Sequence, residues 1–176
     1  MNTNLSLGGI ITQGIKLGIF NIISIFIATI LWALTIWIPY LNVGTTIGLL
    51  SMPIGISKGN IMSPTEIFNP KYRQYMGEYF ILIGLKAQGL IPAMLFVVVP
   101  YIILNLAWSQ STYLLLDKGL NPAEALTLSN KITYGHKGKI FFGKLILTIL
   151  SFGLLYPFFM MGANAFIYKS LSSEIE

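Results

Sequence analysis

"YGHKGKIFFGKLIL", residues 134–147, sets Lys137, Lys139, Lys144 and the chain's one histidine, His136, at the entrance to a run that stays largely apolar to Tyr156. A glycine- and lysine-rich turn can cradle a phosphate, and a lysine-flanked apolar run can enter a bilayer. A Walker-type loop needs G-x-x-x-x-G-K-[S/T] after a strand, with the hydroxyl holding magnesium. "GHKGK" has neither that spacing, nor the hydroxyl, nor a strand before it. Its cations suit a collar at lipid headgroups, each worth about 1 kcal/mol near an anionic leaflet. With Lys131 just upstream, the expected headgroup residues are Lys131, His136, Lys137, Lys139 and Lys144.

Composition points the same way. The 176 residues are 55% hydrophobic and 10% charged, with a mean hydropathy of +0.74. Soluble domains carry about 25% charged residues. So few charges cannot coat a water-facing surface of this size, and lipid is expected to cover it instead. The net charge of +5 suits basic loops facing anionic lipid, and no soluble basic face is available for nucleic acid. Zero cysteines exclude disulfides and thiolate sites. One histidine and six acids leave little for a zinc site, so no metal or cofactor is expected. The N-terminus carries neither a basic cluster nor a small-x-small cleavage site, and its first apolar run is expected to stay as a helix.

Apolar stretches cover residues 18–38, 40–56, 79–99, 101–116, 140–156 and 158–171. As helices they would be roughly 21–32 Å long, against a hydrocarbon core near 30 Å. They are joined in pairs at Pro39-Tyr40, Pro100-Tyr101 and Pro157-Phe158 without a polar loop. Proline interrupts the helical hydrogen-bond ladder, so the spacing predicts three helical hairpins. The expected fold is all-α: a polytopic membrane bundle of about six short helices in three Pro-turned hairpins, linked by interfacial amphipathic helices. Lysines 16, 58, 71, 118, 131, 137, 139 and 169 with Arg73, and all six acids including Glu174 and Glu176, fall away from the Pro tips. The positive-inside bias then puts both termini in the cytoplasm.

One integral membrane domain is expected over 1–176, with repeats at 1–59, 60–118 and 119–176. At one constant offset Pro64, Glu66, Gly77 and Lys86 meet Pro122, Glu124, Gly135 and Lys144, while "ITQGIKLGIF" from Ile11 matches "ITYGHKGKIF" from Ile132. Gly14, Gly77 and Gly135 would each break an interfacial helix before a membrane hairpin. In "NPAE", Asn121 can cap a helix that Pro122 opens.

No strong catalytic motif occurs, and no enzyme is expected. Lys86, Gln88, Asn105, Ser109 and Gln110 could line a polar pathway, with Asn42, Thr45, Thr46 and Asn164 contributing. Hydrogen-bonding glue between helices is the plainer use of such residues. Gly44, Gly48, Gly55 and Gly59 form a small-residue stripe for close packing, within the monomer or between copies.

Residues 124–141, "EALTLSNKITYGHKGKIF", resemble the E-A-L-x-x-S-x-x-x-x-x-G-x-K-x-x-x-F pattern of bacterial multi-helix membrane proteins of unknown function. They are also similar to the membrane domain found with some glycerophosphodiester phosphodiesterases. Ala125, Leu126, Ser129, Gly135, Lys137 and Phe141 carry the match, and "YPFFMMGANAFIYKSL" resembles the group's last helix. The resemblance implies a bacterial inner-membrane protein and carries no information about activity. The expected function is a scaffold or accessory subunit that engages anionic lipid and associates with itself or a membrane partner. The alternatives are a small-solute or ion channel and a hairpin wedge that enters one leaflet.

Overall fold

Prolines write several of the helix starts in this chain. At the first turn of a helix the missing N–H costs nothing, because that donor has no partner there anyway. In the computed structural model, which describes residues 5–96 and 98–173, Pro39 and Pro122 open helices and Pro157 is the second residue of one. The chain is 82% helix, with no strand among the described residues. Its helices are α1 (Leu7–Phe20), α2 (Ile22–Thr35), α3 (Pro39–Ser57), α4 (Lys71–Gln74), α5 (Met76–Phe96), α6 (Val98–Ala107), α7 (Ser111–Lys118), α8 (Pro122–Thr133), α9 (Lys137–Leu150) and α10 (Tyr156–Ser172). A short 3-10 turn, Pro64–Phe68, precedes α4. Glu174 and Glu176 lie outside the described residues.

The core is built around α10, which packs on α1, α3 and α9. Along α1 the register is explicit: Gly9 faces Phe166, Gly14 faces Ala163, and Gly18 faces Phe158, so α1 and α10 run antiparallel. A Cβ placed on Gly162 would sit 2.2 Å from the Gly14 carbonyl oxygen and 2.6 Å from the Gly18 nitrogen. The two backbones therefore touch, as small-x-x-x-small crossings permit. On the other side Gly143 of α9 abuts Ile10, and Leu147 abuts Gly14. Polar side chains zip α2 to α3. Trp32 Nε1 donates to Thr46 Oγ1 at 2.8 Å and Thr35 and Thr45 share a hydroxyl bond at 2.8 Å, while Ser24 of α2 donates to the Met62 carbonyl in the link that follows α3. Gly89 of α5 backs onto the Trp108 ring just beyond α6, and Lys86 of α5 reaches Thr112 of α7.

Large apolar side chains are spread over the surface. Phe26, Leu34, Phe80, Ile81, Ile91, Ile103, Phe142 and Ile149 are exposed, as is Leu95 near the end of α5 (82%), and the turns present Trp37 (87%) and Phe152 (92%). Within α5, Met76–Leu95 is long and apolar enough to cross a membrane, yet only 11% of its most apolar window is buried. A core helix of a soluble protein with that composition would be mostly covered.

Several expectations are corrected. Residues 18–38 do not form one helix: the chain bends by 70° between α1 and α2, at Asn21, whose amide donates back to the Leu17 carbonyl at 3.0 Å. Gly14 is not a break but a mid-helix contact surface, held helical by the α10 backbone pressed against it. Gly135 does break the chain, at φ +80°. Gly77 lies just inside α5, after the break at Tyr75. The stretch 101–116 is divided into α6 and α7. Pro100 lies inside α6 rather than at a helix end. The turns do not cluster either, because Leu154 and Leu155 share a groove with Ile22 and Phe26 at the start of α2.

Candidate functional site

The α8–α9 corner is built as its sequence dictates. Asn121 Oδ1 accepts the Glu124 N–H at 2.9 Å, an N-cap that also places an acid in the first turn of α8. Gly135 supplies the positive φ of the corner, and α9 then starts on Lys137. No acid stands in the first turn of α9. Lys137 and Lys139 instead put positive charge at the positive end of the helix dipole, an arrangement that costs about 0.3–1 kcal/mol per charge without an external anion. Lys137 Nζ donates to Asn130 Oδ1 at 3.1 Å, and Lys139 Nζ donates to the Leu5 carbonyl at 3.1 Å, tying the start of α1 to α9. Lys131 is exposed and His136 half-buried. Lys144 lies two turns further along α9, away from this group.

The expected polar pathway separates into three places. Lys86 Nζ donates to Thr112 Oγ1 at 3.3 Å, and Gln88 is exposed on α5. Ser109 and Gln110 sit in the break between α6 and α7. There the Gln110 N–H donates to Ser129 Oγ at 3.1 Å, and Ser129 Oγ donates to the Ala107 carbonyl at 2.7 Å. Thr133 Oγ1 also reaches the Ala107 carbonyl, at 3.3 Å. Two hydroxyls of α8, one turn apart, thus satisfy backbone groups freed by the broken helix. The Ser-x-x-x-Thr spacing on the apolar face of α8 is the signal that sequence reasoning missed. Ser129→Ala is expected to cost about 1–3 kcal/mol, since it leaves buried partners unmade. Thr127→Ala, exposed on the same helix, should stay within about 0.5 kcal/mol. Thermal unfolding of the two variants in one detergent compares them.

Asn105 and Lys144 do come together, in a pocket of about 380 Å³ between α6, α9 and α10 that Tyr156 and Asn164 also line. The buried Asn164 Oδ1 has no hydrogen-bond partner. Asn42, Thr45 and Thr46 belong instead to the α2–α3 zip: Thr46 Oγ1 donates to Asn42 Oδ1 at 3.1 Å.

Of the glycine stripe, Gly44 backs onto Arg73, Gly48 onto Ile67, and Gly55 onto Met62. The stripe receives the 62–73 link of the same chain. Gly59 is in open space past the end of α3 at φ +83°. Beside this link a cavity of about 540 Å³ is bordered by Lys58, Asp117, Glu66 and Lys71. Asp117 pairs with Lys58 and accepts the Tyr168 hydroxyl at 2.6 Å, joining the ends of α3 and α7 to α10. Lys71 pairs with Glu66, whose hydrogen bond raises the lysine pKa above its ordinary value against a smaller opposing effect of burial. These charges were legible as a polar end of the molecule, but not as pairs. Comparison with protein-family models, with curated proteins and with solved structures finds no match.

Proposed function

We propose that this chain is a non-catalytic membrane protein, embedded through its hairpins, with its basic α8–α9 corner against anionic headgroups. One observation carries the reading: the large apolar side chains of α2, α5, α9 and the turns face outward, where water would penalise each by roughly 1.5–3 kcal/mol relative to burial. Hydrocarbon removes that penalty. The cluster of lysines at this corner favours its cytoplasmic side by the positive-inside bias. A scaffold or accessory role is preferred to a channel, because the polar residues divide between a helix break, the α2–α3 zip and a separate pocket between α6, α9 and α10. Extraction with alkaline carbonate tests the embedding: the chain should stay with the membranes, and its release would end this reading.

The turns favour one form of it. Trp37, Phe152 and Leu154 are apolar and highly exposed. Phe152 also holds a left-handed backbone, φ +47°, which costs a non-glycine residue roughly 1 kcal/mol. Such turns are better solvated by acyl chains than by water across the bilayer, and α2 and α9, of 14 residues each, reach only about 21 Å. We therefore favour hairpins that end within the membrane. The chain has no cysteine, so Trp37→Cys, Val99→Cys and Leu154→Cys each give a single thiol. All three should be silent to an impermeant maleimide from either side and react once the membrane is dissolved. Labelling from outside in intact cells would establish full crossing instead.

A further inference from the structure

We propose that the pocket between α6, α9 and α10 is a lateral binding site for the anionic headgroup of one phospholipid, with Lys144 as its counter-ion. This rests on the membrane reading above. Lys144 lies well inside α9, and among the described residues no carboxylate pairs with it. Lys86, at the matching place on α5, has a hydroxyl partner in Thr112, so it is not equivalent. A cation against an apolar wall is costly until an anion meets it. The other polar groups here are the Asn105 and Asn164 amides and the Tyr156 hydroxyl, all able to donate to phosphate oxygens, and Thr148, whose hydroxyl already donates to the Lys144 carbonyl at 2.8 Å. The orphaned Asn164 Oδ1 requires a donor in return. A headgroup carrying a hydroxyl beside its phosphate supplies both.

The volume of about 380 Å³ and the mostly apolar wall with a few convergent polar groups match a small-ligand pocket. The neighbouring side chains argue for a lipid rather than a free anion. Ile103, Leu145 and Ile149 are exposed beside the pocket, so an acyl chain leaving it would run along an apolar face.

Native mass spectrometry of the full chain in detergent micelles, supplied with phosphatidylglycerol and phosphatidylcholine of equal chain length, tests the proposal. Wild type should retain one phosphatidylglycerol and no phosphatidylcholine. Lys144→Ala should lose that retention by about tenfold or more, the scale of one charge-assisted contact. Lys144→Arg should keep most of it, and Lys86→Ala all of it. If Lys144→Ala does not fold, Asn164→Leu gives an independent reading and should also weaken retention. Equal retention in wild type and a folded Lys144→Ala or Asn164→Leu overturns the site. Displacement of the lipid by millimolar inorganic phosphate overturns the lipid assignment in favour of a free anion. A chain that carbonate releases from membranes fails the underlying reading, whereas an embedded chain that retains no acidic lipid fails this inference alone.

Discussion

Gly162→Ala is expected to cost about 1–3 kcal/mol or more, the range for forcing a methyl into a filled interior, and Gly162→Leu to abolish the fold. The added carbon has nowhere to go. Its neighbours are the Gly14 carbonyl oxygen at 2.2 Å and the Gly18 nitrogen at 2.6 Å, both backbone atoms that no rotamer change can move. Relief requires α1 to lift off α10, and α1 also carries Ile10 into Gly143 of α9. The whole α1–α9–α10 unit should loosen together. Gly84→Ala is the counterpart: Gly84 lies inside α5 with nothing within 4 Å of a new Cβ, so the helix should gain about 0.5–1 kcal/mol. Thermal unfolding of both variants in the same detergent should move in opposite directions. A Gly162→Ala protein that melts with wild type would mean that α1 does not lie on α10 as described.

That seam also marks how far residues alone could be read. "ITQGIKLGIF" and "ITYGHKGKIF" share most of their letters, yet Gly14 is helical and Gly135 is a left-handed corner. What decides is the partner. Ala163 and Leu147 close over Gly14, whereas nothing lies within 4 Å of Gly135. Local chemistry was legible where the cause is local: helix from hydropathy, the Asn121 cap, and prolines at helix starts. The break at Ser109-Gln110 depends on a distant group, Ser129, 19 residues on from Gln110. The candidate site divides in the same way. Lys144 could be singled out as a charge inside an apolar run, but its meeting with Asn105 and Asn164 arises from three helices closing on one another. Asp117 bridging Lys58 and Tyr168, 59 and 51 residues away, has no trace in any window of sequence.

Ile83→Asp is the substitution whose sign depends most on what surrounds the molecule. Ile83 is 43% exposed near the middle of α5. On a water-facing surface an exposed isoleucine-to-aspartate change stays within about 0.5 kcal/mol of neutral. At the centre of a helix in hydrocarbon the same carboxylate costs about 2.5–3.5 kcal/mol, and the lost isoleucine adds a few tenths. The proposed reading therefore expects membrane insertion of α5 to fall by roughly 100-fold, because each 1.4 kcal/mol is a factor of ten. Protease protection of a tag placed after α5 measures it, with Gln88→Asp as the comparison. Gln88 is also exposed on α5 but already polar, so a second polar side chain there changes less of the apolar face. If Ile83→Asp leaves insertion untouched, or raises the yield of detergent-free protein, α5 faces water. The outward apolar surface would then have to be covered by another protein rather than by lipid.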